Sequence, residues 1–86
     1  IPHMGWSGLE FPRETKIFKG LEPGAMVYFV HSYHARPDDA NVIAATSTHG
    51  TRFVAAIERE NLMAVQFHPE KSSATGMKIL DNFASL

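Results

Sequence analysis

Two stretches of this chain, Met26–Val30 and Leu62–Phe67, are almost continuously apolar and rich in β-branched and aromatic residues. Strands of that kind want cover on both faces, the habit of central strands in α/β folds. Only one segment has a helical period. From Thr75 onward, Met77, Leu80 and Phe83–Ala84 fall at helical spacing, with Ile79, Phe83 and Leu86 widening the stripe. Ser72 or Ser73 is placed to be its N-cap, with Glu70 just ahead. One helix with one apolar stripe must lie on a sheet, and it covers one face of it. The expectation is therefore part of a larger α/β domain whose other helices are not in these residues.

The remaining elements follow from turn chemistry. The first 24 residues are dense in Gly and Pro and read as loop with short extended pieces. After the turn signal Pro23-Gly24, the Met26 run is predicted to be a buried strand continuing to Tyr33, followed by a polar loop over His34–Asn41. Val42–Ser47 and Arg52–Glu58 flank Thr48-His49-Gly50-Thr51, a hairpin signal. Asn61 turns the chain into a last strand, Leu62–His68. The sum is about four strands and one C-terminal helix.

Composition excludes several classes. At 86 residues the chain has room for one small domain with a thin core. It has no cysteine, which removes a disulfide framework, a thiolate metal site and a cysteine nucleophile, and fits a reducing, cytoplasmic setting. A formal charge of −1 supplies no field toward nucleic acid or anionic lipid. No apolar run approaches the roughly 20 residues of a membrane span, and Ile1-Pro2-His3-Met4 does not open a signal peptide. Gly5-Trp6-Ser7-Gly8 lacks the following helix and Lys-Ser/Thr of a phosphate-binding loop.

Chemistry concentrates at Phe67-His68-Pro69-Glu70. Pro69 biases His68 to an extended conformation and stops the strand. In extended chain, residues two apart project to the same side, so the His68 imidazole and the Glu70 carboxylate meet. A carboxylate accepting from one ring nitrogen fixes the tautomer, leaves the other nitrogen as a base and stabilises the imidazolium. This is a base and its orienter at the carboxyl end of an apolar strand, where open α/β sheets place their active sites. The nucleophile of such a triad is absent. A His-x-Glu pair on a solvated strand end is the plain alternative.

The run Ala64-Val65-Gln66-Phe67-His68-Pro69-Glu70-Lys71-Ser72 resembles the His-Glu signature of the class I, triad-type glutamine amidotransferases. Pro2-His3-Met4-Gly5-Trp6 and Tyr28-Phe29-Val30-His31-Ser32-Tyr33 extend the resemblance over essentially the whole chain. They narrow it to a branch in which a glutaminase subunit feeds ammonia to a cyclase. The resemblance implies the C-terminal part of a flavodoxin-like α/β domain, spanning 1–86, with the nucleophile-bearing N-terminal portion outside it. His68 would be the general base and Glu70 its orienting carboxylate. His31, Ser32 and Tyr33 would border the glutamine pocket. Pro2, His3, Met4, Gly5, Trp6, Tyr28 and Lys71 would face the cyclase, a (β/α)8 barrel. No cofactor or metal is implied. The family's Gly-rich turn with its Cys and the earlier oxyanion loop have no counterpart here, so the 86 residues alone are expected to be inactive. At Ser47-Thr48-His49-Gly50 the family usually has an aromatic residue before the Gly, and His49 is assigned no function.

Two other readings compete. Five histidines invite a zinc site from His31, His34, His68 and Glu70, but residues three apart at a strand end point to opposite sides, and spacing implies no further ligand. A non-catalytic interaction module keeping only the partner-binding face is the stronger alternative. Such a module folds alone, whereas a piece of a sheet lacking its covering helices exposes apolar surface.

Overall fold

The computed structural model describes residues 3–31, 37–60 and 62–86, without the side chains of His3, Met4, Val30 and His31. Two antiparallel sheets carry the chain. One pairs β1 (His3–Gly8) with β2 (Met26–His31), and the other has the order β3 (Ile43–His49), β4 (Thr51–Arg59), β5 (Leu62–Val65). A 3₁₀ turn over Ala40–Val42 leads into β3, another over Pro69–Lys71 follows β5, and α1 (Ser73–Ala84) ends the chain. The family of elements matches the expected strands plus one C-terminal helix of a partial flavodoxin-like α/β domain. No helix among the described residues is long and apolar enough to cross a membrane.

The hairpin signal forms as expected. Gly50 turns the chain at φ +77°, a conformation that a Cβ disfavours, and His49 pairs with Thr51 across it. In β3 the register shifts around Ala44–Ala45, so two successive alanines are buried where strict alternation would expose one. The Gly- and Pro-dense opening was expected to be loop with short extended pieces, and one such piece is a sheet strand. The edge of β2 offers hydrogen-bonding partners, and residues 3–8 pair with it in full register from His3–His31 to Gly8–Met26.

The core lies between the sheets. Leu9, Val27 and Phe29 are fully buried, and Phe29 meets Phe53 and Phe67 edge-on with centroids 5.3 and 5.8 Å apart. Glu10 and Thr46 exchange backbone hydrogen bonds of 2.8 Å in each direction, joining the two sheets. The segment from Phe11 to Pro23 is fastened by polar groups. The buried Glu58 carboxylate accepts from the Lys16 and Ile17 amides at 3.2 and 3.0 Å. Arg13 donates to the Glu58 and Val42 carbonyls, and the Asn82 amide donates to the carbonyls of Ile17 and Lys19.

Two expectations are corrected. The last strand ends at Val65 rather than His68, because after Gln66 the chain leaves the β4 edge toward β2, burying Phe67 on the way. The helix lies against β2 as expected but spends only part of its stripe there. It packs with Gly76 and Ile79, and leaves Met77, Leu80, Phe83 and Leu86 between 42% and 61% exposed. The approach that Gly76 permits toward Pro69 sets this orientation, as described next.

Candidate active site

Pro69 holds His68 extended, at φ −99° and ψ 101°, and the His68 amide donates to the Tyr28 carbonyl of β2 at 3.0 Å. The chain then tightens into the 3₁₀ turn Pro69–Lys71, so Glu70 reaches the imidazole by a turn and not along an extended strand as the spacing argument supposed. The outcome for the side chains is the same. His68 Nδ1 and Glu70 Oε2 stand 3.5 Å apart, with the two side chains 41% and 65% exposed. That separation is an ion-pair distance, longer than a well-formed N–H···O bond. A carboxylate on the Nδ1 side favours the proton there and leaves Nε2 as the base. Glu70 is held below the ordinary carboxylate range, chiefly because its own backbone amide bonds the carboxylate. Desolvation opposes this, and His68 and then Lys71 add to it.

The turn is held by its neighbours. Ser72 stands at the N-cap position of α1, as expected, yet its side chain makes no capping bond. Its hydroxyl donates to the His68 carbonyl at 2.6 Å, and its oxygen accepts from the Tyr28 amide at 2.9 Å. With the His68 amide bonded to the Tyr28 carbonyl, these three bonds close a ring through His68, Tyr28 and Ser72. Beneath it, Gly76 packs directly on the Pro69 carbonyl, where a Cβ would overlap the oxygen. Neither role was read from the sequence. The signals were a serine four residues after a histidine, where its hydroxyl reaches back to a carbonyl, and a glycine inside a helical pattern, which marks close approach.

The other expected site residues distribute unevenly. Trp6 and Tyr28 are directly opposite on β1 and β2 and stack edge-to-face at 5.7 Å and 68°, with Trp6 47% exposed. Tyr28 thus carries this aromatic pair on its ring and the His68 turn on its backbone. Lys71 is exposed in the same turn, and Gly5 lies within β1. The backbones of His3 and Met4 are in β1 and that of His31 ends β2, opposite His3. Pro2, Ser32 and Tyr33 lie outside the described residues, as does His34 of the zinc alternative. Among the described residues, no group of three or more His, Cys, Asp or Glu side chains is arranged to hold a metal ion.

A histidine–carboxylate contact on a proline-set turn beside a β-sheet edge brings together a base and an acceptor for its ring N–H. The family model of the class-I glutamine amidotransferases matches residues 1–85, and the chain belongs to that family. It is similar along its whole length to an imidazole glycerol phosphate synthase subunit HisH from Syntrophotalea carbinolica, at 52% identity over 86 residues. The subunit of the same name from Geobacter sulfurreducens is 55% identical over 86 residues, and that of Synechocystis is 56% identical over 85. The chain covers 42%, 41% and 40% of these three proteins, so it spans about two fifths of the length of the curated relatives it matches.

Proposed function

We propose that residues 1–86 are the C-terminal portion of a single glutamine amidotransferase domain, the glutaminase subunit of imidazole glycerol phosphate synthase in histidine biosynthesis. The observation that carries this reading is the His68–Glu70 contact on the Pro69 turn, in a chain 52% identical to a subunit of that name. In the complete subunit, a cysteine from residues outside this chain attacks the carbonyl carbon of the glutamine side-chain amide. His68 Nε2 takes the thiol proton and delivers it to the departing nitrogen, which leaves as ammonia. Glu70 holds the imidazole and stabilises its cation. A water then attacks the glutamyl thioester, His68 removes its proton, and glutamate leaves with the thiol restored. His31, Ser32 and Tyr33 border the glutamine pocket in this reading.

The ammonia passes to a cyclase subunit with a (β/α)8 barrel, in a cytoplasmic heterodimer. Pro2–Trp6, Tyr28 and Lys71 form the docking face. An aromatic such as Trp6, half exposed against Tyr28, suits an interface anchor. Glutamine hydrolysis is measured on three samples: the complete subunit with its partner, its His68→Ala form, and the 86-residue chain alone. The expected result is activity in the first only. Hydrolysis by the chain alone, or full activity in His68→Ala, overturns the proposal. Tight binding of the partner with no hydrolysis in the complete subunit is the result a non-catalytic interaction module gives.

A further inference from the structure

The ring through His68, Tyr28 and Ser72 points to a role that the reaction chemistry alone does not require. A base works only when its nitrogen is held toward the reacting proton, and a misplacement of about 1 Å costs on the order of 10²-fold in rate. The His68–Glu70 pair is poorly equipped to hold itself there. Its 3.5 Å separation and its exposure leave the imidazole without a short bond to a rigid partner. The backbone that bears the imidazole is fixed instead. Its amide is bonded to β2, and its carbonyl accepts from both the Ser72 hydroxyl and the Lys71 amide, at 2.6 and 3.1 Å. Ser72 is 1% exposed, so the groups its hydroxyl bonds have little access to bulk water. Its loss would strand the Tyr28 amide without its side-chain acceptor and release one of the two donors on the His68 carbonyl.

We propose that Ser72 is a positioning residue for His68: its hydroxyl clamps the turn that carries the base onto the β2 edge and thereby aims the imidazole. The proposal rests on the reading of His68 as the general base. Ser72 touches neither substrate nor nucleophile in it.

The test is made in the complete subunit with its partner and uses two pairs of variants matched in shape. Ser72→Ala removes the hydroxyl from the native side chain. Ser72→Thr and Ser72→Val carry the same added bulk at a position only 1% exposed, and differ only in the hydroxyl. Glutamine kcat and KM are read for each, together with the ring ¹⁵N signals of His68. The expected result is a fall in kcat of about tenfold or more in Ser72→Ala, with KM little changed, a displaced or broadened His68 signal, and Thr above Val by a comparable factor. Unchanged kcat and unchanged His68 signals in Ser72→Ala overturn the proposal. So do Thr and Val forms that are folded and equally active. His68→Ala is measured alongside. Activity surviving that change overturns the assignment of the base itself, and the proposal with it. Loss in His68→Ala without loss in Ser72→Ala removes only the role of Ser72.

Discussion

Replacing Gly76 by alanine sets two effects of opposite sign against each other. In an unhindered helix interior the change stabilises by about 1 kcal/mol, since glycine gives up more backbone freedom on folding. Here the new Cβ would overlap the Pro69 carbonyl oxygen and lie 2.7 Å from its carbon and 3.1 Å from the Ser72 Cβ. Carbon atoms settle about 3.5–4.0 Å apart, so the carbonyl carbon must retreat by about 1 Å and its overlapped oxygen by more. It is backbone and has no rotamer in which to turn aside. Its neighbours are also committed, for the Ser72 amide donates to that same oxygen at 3.0 Å and Gly76 donates to the Ser72 carbonyl at 3.0 Å. Overpacking of this kind typically costs about 1–3 kcal/mol, and more where nothing flexible yields. With nothing here to yield, the upper end of that range applies and the steric cost wins, with a net destabilisation of about 2 kcal/mol or more. The same displacement moves the His68–Glu70 turn, and a shift of about 1 Å predicts a loss of hydrolysis on the order of 10²-fold even in the folded fraction. Urea unfolding of the complete subunit, paired with steady-state glutamine hydrolysis, measures both. A Gly76→Ala protein that is more stable than its parent and fully active would refute the reasoning, because the helix could not then be packed on Pro69 as described.

Three further outcomes are expected, each read in the complete subunit. Glu58→Gln retains one acceptor oxygen but sets an amide group against the Lys16 and Ile17 N–H groups. A loss of about 1–3 kcal/mol in urea unfolding is predicted, and a neutral result would show that the Phe11–Pro23 segment is not held by Glu58. Trp6→Ala removes a half-exposed ring, so stability changes by no more than about 1 kcal/mol. Partner affinity, measured by titration calorimetry, falls at least about tenfold if this ring is an anchor of the docking face. The lowered Glu70 pKa fixes a sign for acid sensitivity. The folded state binds this proton less readily than the unfolded chain. The stability the group contributes is therefore present above the ordinary glutamate range and lost as pH falls through the lowered folded value. The difference in unfolding midpoint between the parent and Glu70→Gln should persist at neutral pH and vanish in strong acid; a difference that instead grows on acidification would reverse the assigned direction.

Local chemistry made much of the fold legible. Gly50 between two alternating runs specified its hairpin, and Pro69 specified the extended His68. The short extended pieces expected in the first 24 residues could not be placed as a strand over residues 3–8, because its glycines argue locally for loop and only the paired β2 edge makes them strand. The helix face was misjudged for a related reason. Apolar spacing gives a stripe, but the direction of packing depends on which residue permits closest approach. In α1 that residue is Gly76, which periodicity counts as nothing. Ser72 was visible as a helix-start signal, and its position was right while its bond was not. A hydroxyl at a helix start has several backbone groups within reach. The choice here was made by β2, 44 residues away in sequence, whose Tyr28 amide needs an acceptor at that point.

The pairing of an exposed His–Glu contact with a buried serine separates two demands on a base. Proton transfer requires the imidazole to meet water-borne and substrate groups, and within these 86 residues its side chain is 41% exposed. An exposed carboxylate 65% open to solvent cannot supply much rigidity, since solvent screens the attraction and the side chain retains rotamer freedom. Orientation must then come from the backbone, and the backbone of His68 is bonded on both its amide and its carbonyl to groups packed against the core strand β2. Glu70 sets which ring nitrogen carries the proton, and Ser72 with Gly76 sets the place of the ring. On this division, substitutions at Glu70 remove the acid-side dependence that its own lowered titration contributes, while substitutions at Ser72 or Gly76 lower the rate at every pH. Profiles of kcat/KM for the two sets, differing in shape for the first and only in height for the second, are the expected signature. If a Ser72 variant instead altered the shape and a Glu70 variant only the height, the two roles would have to be exchanged.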